Sequence, residues 1–130
     1  MNSLNSAMRT SSTGLAAERF RMDVISSNIA NANSIGVNGQ EPYRRRDVTL
    51  LGGDDGVQIG QVVQDQRPFH KVYEPGNPNA DGDGMVTYSN IEPIEEMVNM
   101  MSASRAYEAN VAAFNSAKGM IKSALSIGKA

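Results

Sequence analysis

The sequence predicts a mainly α protein with a small β-rich insertion, its long N- and C-terminal helices packing as a coiled-coil-like hairpin. Three observations carry that expectation. Apolar residues recur every seven positions at both ends of the chain, the first thirty residues contain no proline, and Gly, Asp, Asn and Pro concentrate in the middle. With 130 residues, 40% hydrophobic content, 5% aromatics and no Trp, the chain fits one domain with a small core.

The first element is a helix from about Ser3 to Ala32. Met8, Leu15, Met22 and Ile29 form one seven-residue seam, and Leu4, Ile25 and Ala32 lie on the adjoining one. Ser11 and Glu18 interrupt that second seam. Gly14 lowers helix propensity by up to about 1 kcal/mol relative to Ala, so the first half is weakly helical alone. Asn28, Asn31 and Asn33 close the helix, either as ordinary end residues or as groups that set packing register.

A polar loop with Gly36 and Gly39 follows. Short β-like runs then appear near Tyr43 to Leu51, Val57 to Gln64 and Phe69 to Glu74, divided by turn signals such as Gly52-Gly53-Asp54-Asp55-Gly56.

The last element repeats the design of the first. Met100, Tyr107, Phe114 and Ile121 form one seam, flanked by Met97, Val111 and Leu125, while Ser104 and Lys118 dilute it. Pro93 suits a first helical turn, and Glu92, Glu95 and Glu96 suit the positive end of a helix dipole. Lys118, Lys122 and Gly128 suit its end. The expected division is 1–32, 33–90 and 91–130, the two outer segments forming one discontinuous module. Each helix spans roughly 45 to 50 Å at 1.5 Å per residue.

Much chemistry finds no support. A formal net charge of −2 gives no overall cationic field. Arg44, Arg45 and Arg46 lack the interleaved aromatics of a nucleic-acid surface, so they read as a solvated strand face or as a contact with an acidic neighbouring subunit. Zero Cys removes disulfides and thiolate chemistry. The N-terminus lacks the apolar core of a cleaved signal, and no run approaches the roughly 20 residues that span a bilayer.

The sole His70 leaves no multi-histidine site. Asn79, Asp81, Asp83 and Gly84 match the opening of a calcium loop, but its twelfth position is Asn90 rather than Glu, which favours a polar turn. Glu92, Glu95, Glu96 and Glu108 could supply a glycosidase pair, yet nothing marks a cleft for a glycan. No enzyme activity, cofactor, metal or small-molecule substrate is expected.

Two long helices in a hairpin bury only part of each apolar stripe, and helices in water draw most of their stability from packing. The remaining stripe calls for companions. Met97, Met100 and Met101 crowd one region, where flexible thioethers fill irregular apolar gaps. The expected assembly residues are Met8, Leu15, Met22, Ile25, Asn28, Ile29, Asn31, Met97, Met100, Met101, Tyr107, Asn110, Val111, Phe114 and Ile121. A monomer whose hairpin folds back on its β segment is the competing outcome, and a secreted helical scaffold protein is a second.

The run Val24-Ile25-Ser26-Ser27-Asn28-Ile29-Ala30-Asn31-Ala32-Asn33 resembles the signature of flagellar axial proteins, the family that builds rod, hook and hook-associated segments. Pro42-Tyr43-Arg44-Arg45-Arg46-Asp47-Val48, Val72-Tyr73-Glu74-Pro75-Gly76-Asn77-Pro78 and the stretch from Glu95 to Val111 resemble a proximal-rod subunit within it, another rod paralogue being the alternative because the terminal motifs are shared. That resemblance implies a structural subunit exported uncleaved by the flagellar type III apparatus and assembled in the periplasmic part of the basal body. It also implies partners: copies of itself, other rod proteins and the proteins of the membrane ring and rod base.

Overall fold

The computed structural model describes residues 2–128. Met1 and residues 129 and 130, the outermost positions of the two expected helical segments, lie outside the described residues. Six elements run in order: α1 (Asn2–Ala30), β1 (Arg46–Gly53), β2 (Gly56–Gln64), β3 (His70–Tyr73), β4 (Met85–Tyr88) and α2 (Pro93–Gly128). The protein is mainly helical with a small β part, as the sequence predicts.

The helices have 29 and 36 residues, or about 44 and 54 Å. They pack antiparallel. Asn28 meets Glu96, and a Cβ on Gly14 would lie 2.8 Å from the Asn110 amide. In both pairs the residue numbers add to 124, so the crossing keeps one register over its length. By that register the α2 residues beyond Lys122 have no described α1 residue opposite, and all of 123–128 are exposed.

The α2 seam continues through Glu96, Met100, Ala103, Tyr107, Asn110, Phe114, Ala117 and Ile121, alternating steps of four and three as a heptad requires. One half of it is the predicted apolar row. The other half, Glu96, Ala103, Asn110 and Ala117, is small or polar, and all of it but the half-buried Asn110 is more deeply buried. On α1 the buried residues are Ser11, Gly14, Ala17, Glu18, Ile25 and Asn28. Ser11 and Glu18, expected to dilute the seam, sit inside it: Ser11 is small, and the Glu18 carboxylate is held by Arg21 at 3.3 Å. Gly14 also makes room, since its missing side chain is the space that Asn110 occupies.

β1 and β2 form an antiparallel hairpin closed at Gly53 and Gly56 around Asp54 and Asp55, with an irregular step between Thr49 and Leu50. Gly56 has φ +111°, open to glycine at little cost. Val48, Leu50 and Val57 share the half-buried face, and Asp47, Thr49, Leu51, Gln58, Gln61 and Val63 share the exposed one. The hairpin lies on α1, where the Val57 amide donates to the Thr13 hydroxyl at 3.1 Å. α1 is thus covered by α2 on one side and by the hairpin on another, while α2 approaches none of the four strands.

β3 and β4 form a second antiparallel hairpin. The loop after α1 joins its edge through the Ile35–Tyr88 bridge, with Gly36 N donating to Thr87 O at 2.9 Å and Ser89 N to Ser34 O at 3.0 Å. The short Met-Val-Thr-Tyr strand β4 was not among the predicted runs, although its β-branched and aromatic content and the preceding Gly84 favour it. Tyr43 to Arg45, predicted as strand, form an extended approach to β1 instead.

One sequence expectation about helix ends needs correction, and the polar turn favoured at Asn79 to Gly84 is present. The lysines at 118 and 122 do not lie in the last turn, because α2 runs on to Gly128. Asn79 to Gly84 forms a tight turn in which Asp81 Oδ1 accepts from the amides of Asp83 and Met85, both at 2.9 Å.

Candidate assembly site

Two features stand out against the thin apolar core: a buried polar junction where the helices meet the insertion, and uncovered apolar surface on α2. The junction comes first because it fixes the geometry of the rest.

Glu96 and Asn28 are both 0% exposed, and Asn90 and Arg45 are nearly so. An isolated charge in such a place would be strongly destabilising, so every polar atom needs a partner. Arg45 donates through Nε to Glu96 Oε1 and pairs with Asp65 at 3.2 Å. Asn28 Nδ2 donates to Glu96 Oε2 at 3.1 Å and to the Arg46 carbonyl at 2.8 Å. Asn28 Oδ1 accepts from the Arg46 amide at 3.1 Å and from the Tyr43 hydroxyl at 3.4 Å. All four hydrogen-bonding positions of this amide are therefore used within one chain. Asn90 Oδ1 accepts from the Arg45 amide at 2.7 Å, and its Nδ2 donates to the carbonyls of Asp65 and Arg67, both at 3.0 Å.

The rim continues the network. Arg67 is bidentate to Glu95 at 3.0 and 3.1 Å and pairs with Asp65 at 2.8 Å. Burial opposes ionisation of Asp65, but hydrogen bonds from the Arg67 side chain and backbone, its charge and Arg45 outweigh that and hold the carboxyl below its usual range. The Arg67 hydrogen bonds lower Glu95 against a smaller opposing effect of burial. Burial works against the Arg45 charge, while the Glu96 hydrogen bond and charge outweigh it, so its pKa is raised. Among the described residues no buried side-chain nitrogen or oxygen lacks a partner.

The arginine run is thereby divided. The expectation of a solvated strand face fails for Arg45, which is buried against Glu96, and for Arg44, which stacks 4.2 Å over Phe69 and donates to the carbonyls of Asp65 and Arg67. Arg46 remains exposed, near the Tyr43 ring. Glu96 likewise does not serve mainly as a compensating charge for the helix dipole, since it is enclosed by Arg45 and Asn28. Asn31 turns back to the Ser27 carbonyl at 2.8 Å, an end-of-helix role.

The other predicted residues fall into two groups. Met8, Leu15, Met22, Ile29, Met100, Tyr107, Asn110, Val111, Phe114 and Ile121 are half-buried and Ile25 is buried. Asn110 donates to the Ala106 carbonyl at 3.0 Å, which holds its amide over Gly14. Met97 and Met101 point away. With Ile94 and Val98, which the sequence reading passed over, they make an i, i+3, i+4, i+7 stripe whose four members are 55 to 78% exposed. Met120, Leu125 and Ile127 extend exposed apolar surface toward the far end.

The junction roles of Asn90, which the sequence reading met only as the last position of a calcium-loop pattern, and of Asp65 went unread, because nothing in their spacing sets them apart from surface polar residues. Ile94 and Val98 could have been found by applying the helical period outside the first seam.

The sequence is similar to known proteins. A family model described as "Flagella basal body rod protein" matches residues 8–36, and one described as "Flagellar basal body rod FlgEFG protein C-terminal" matches 83–127. Three similar proteins, each named "Flagellar basal-body rod protein FlgC", come from Bacillus subtilis, Salmonella typhimurium and Agrobacterium fabrum. The first is 39% identical, covering 95% of this chain and 97% of the relative. The second is 42% identical, covering 90% and 92%. The third is 34% identical, covering 100% and 99%.

Proposed function

The chain belongs to the FlgC family of flagellar basal-body rod proteins and is a structural subunit of that rod, and on this premise we propose that it builds the proximal, periplasmic segment and transmits torque through it. The observation that carries the reading is the bare stripe Ile94, Met97, Val98 and Met101 on a helix that is anchored at its base by the buried junction. A locked head with an uncovered helical face is suited to side-by-side packing. Stiffness then comes from many such seams acting in parallel, and no bond chemistry is called for.

In this reading the partners are copies of the chain, other rod proteins and the components at the rod base. The chain reaches the periplasm through the flagellar type III apparatus without cleavage of a signal. The half-buried seam residues hold the hairpin together, and the outward methionines face neighbours. Asn28 acts on assembly only through the shape of the junction, as a positioning residue. No nucleic acid, cofactor or small-molecule substrate takes part.

The test is imaging of basal bodies from a strain lacking the chain, complemented by the wild type or by Met97→Asp/Met101→Asp. The wild type is expected to restore a shaft above the membrane ring. The double variant is expected to keep its helical circular-dichroism signal and yet give no shaft. A complete shaft in the deletion strain would refute the rod-subunit reading, and a complete shaft built from the double variant would refute the role given to the stripe.

A further inference from the structure

Charge is segregated along the sequence. All fourteen acidic residues lie in 18–108, alongside eight basic ones, whereas residues 2–17 and 109–128 hold Arg9, Lys118 and Lys122 and no acid. The free ends of the two helices therefore carry only cationic charged side chains of their own, and the acidic residues belong to the segment between, whose hairpin tip with Asp54 and Asp55 lies beside Thr13 of α1. On α2 the residues Lys118, Lys122 and Leu125 follow at i, i+4 and i+7 along one face, all exposed. On the outer face and tip of the β1–β2 hairpin, Leu51, Asp54 and Asp55 are exposed as well. Neither lysine and neither aspartate has a charged partner within 4 Å among the described residues.

We propose that these two surfaces bind each other between copies: the Lys118–Lys122–Leu125 stripe of one chain docks on the Leu51–Asp54–Asp55 end of the next chain's hairpin. The inference rests on the rod-subunit reading and names a contact within it. The two surfaces match in size as well as in charge. Lys118 to Leu125 rises about 10 Å along the helix, and the three-residue step from Leu51 at the end of β1 to Asp54 in the turn spans about the same.

They do not meet within one chain. The tip is tied to Thr13 through Val57 and Gly56, and the register of the helices puts Thr13 opposite Val111. Lys118 and Lys122 lie seven and eleven residues farther along α2, or about 10 to 16 Å. A neighbour displaced by that amount along the long axis brings its tip to the lysines. Because the two surfaces differ, the contact is head-to-tail and extends into an open chain of copies unless its rotation closes a ring.

Sedimentation velocity of the full-length chain tests this. Self-association is expected at 50 mM NaCl and weaker by about tenfold or more at 500 mM, since exposed charge pairs are screened. Lys118→Glu/Lys122→Glu and Asp54→Lys/Asp55→Lys are each expected to be monomeric with unchanged helical content, and to associate when mixed. Because the chain has no Cys, Asp54→Cys and Lys122→Cys chains can be mixed and should form a disulfide heterodimer faster than either forms a homodimer. A mixture that stays monomeric overturns the contact, as does a wild type that stays monomeric at 50 mM NaCl. A monomer that instead pellets with phosphatidylglycerol vesicles overturns it in favour of a lipid surface.

Swimming separates the two levels of the argument. Normal motility in a strain carrying only Asp54→Lys/Asp55→Lys overturns the contact and leaves rod membership intact. Failure of the wild-type gene to restore motility to the deletion strain counts against the rod reading itself.

Discussion

Replacing Arg45 by Met should be among the most damaging single changes in this chain. The substitution keeps the length and apolar stem but removes the guanidinium from Glu96, which is 0% exposed and would keep only the Asn28 amide as a donor. Stranding one member of a buried ion pair costs about 3 to 5 kcal/mol. A domain of this size has about 5 to 15 kcal/mol in all. With a urea slope of about 2 kcal/mol per molar, the midpoint followed by circular dichroism should fall by about 2 M. Adding Glu96→Leu to Arg45→Met should return most of the loss, because the double variant leaves no unpaired charge and Asn28 keeps its Arg46 partners. A midpoint shift below about 0.5 M for Arg45→Met, or a double variant as unstable as the two single losses added together, would refute the account of this junction.

Three further outcomes follow from named contacts. Gly14→Ala should destabilise the wild type despite a gain in helix propensity of about 1 kcal/mol, because its Cβ meets the Asn110 amide. In an Asn110→Ala background the same change should stabilise, as read by thermal unfolding of both pairs. Gly56→Ala should loosen the β1–β2 tip from α1 by about 2 kcal/mol, because φ is +111° there and the new methyl runs into the Thr13 hydroxyl; hydrogen exchange at the Val57 amide reports it. Asp65 and Glu95 are held below their ordinary values, so their contribution is fully present above the unfolded carboxylate values of about 4 and is lost as pH falls through the lower folded ones. Urea midpoints should accordingly drop below about pH 4, and Arg67→Gln should flatten that drop.

The sequence disclosed the helices because Met8, Leu15, Met22 and Ile29, like Met100, Tyr107, Phe114 and Ile121, announce themselves by hydrophobic period. It concealed half of the interface they build. Ser11, Gly14 and Glu18 on one side and Ala103, Asn110 and Ala117 on the other carry little apolar signal, and they pack because they are small or satisfied within their own helix, Glu18 by Arg21 and Asn110 by the Ala106 carbonyl. The junction was harder still. Asn28, Arg45, Asp65, Asn90 and Glu96 are scattered over nearly seventy residues, and each alone resembles a solvated side chain. The methionine cluster divided for a geometric reason: 97 and 101 lie one turn apart on the outward face, while 100 faces α1. The apolar row was legible; which side of it would be covered depended on the insertion lying against α1 and not α2.

Glu96 stands about three quarters of the way along the chain, yet it closes the place where residues 28 and 45 are held. A polypeptide delivered from its first residue, whether by a ribosome or through a narrow pore, cannot complete that knot until this late carboxylate arrives. Everything ahead of it waits with Arg45 paired only to Asp65 and Asp47, and the long loop closes last. The molecule consequently gains its stiff form only late in delivery, when most of it has already reached its destination.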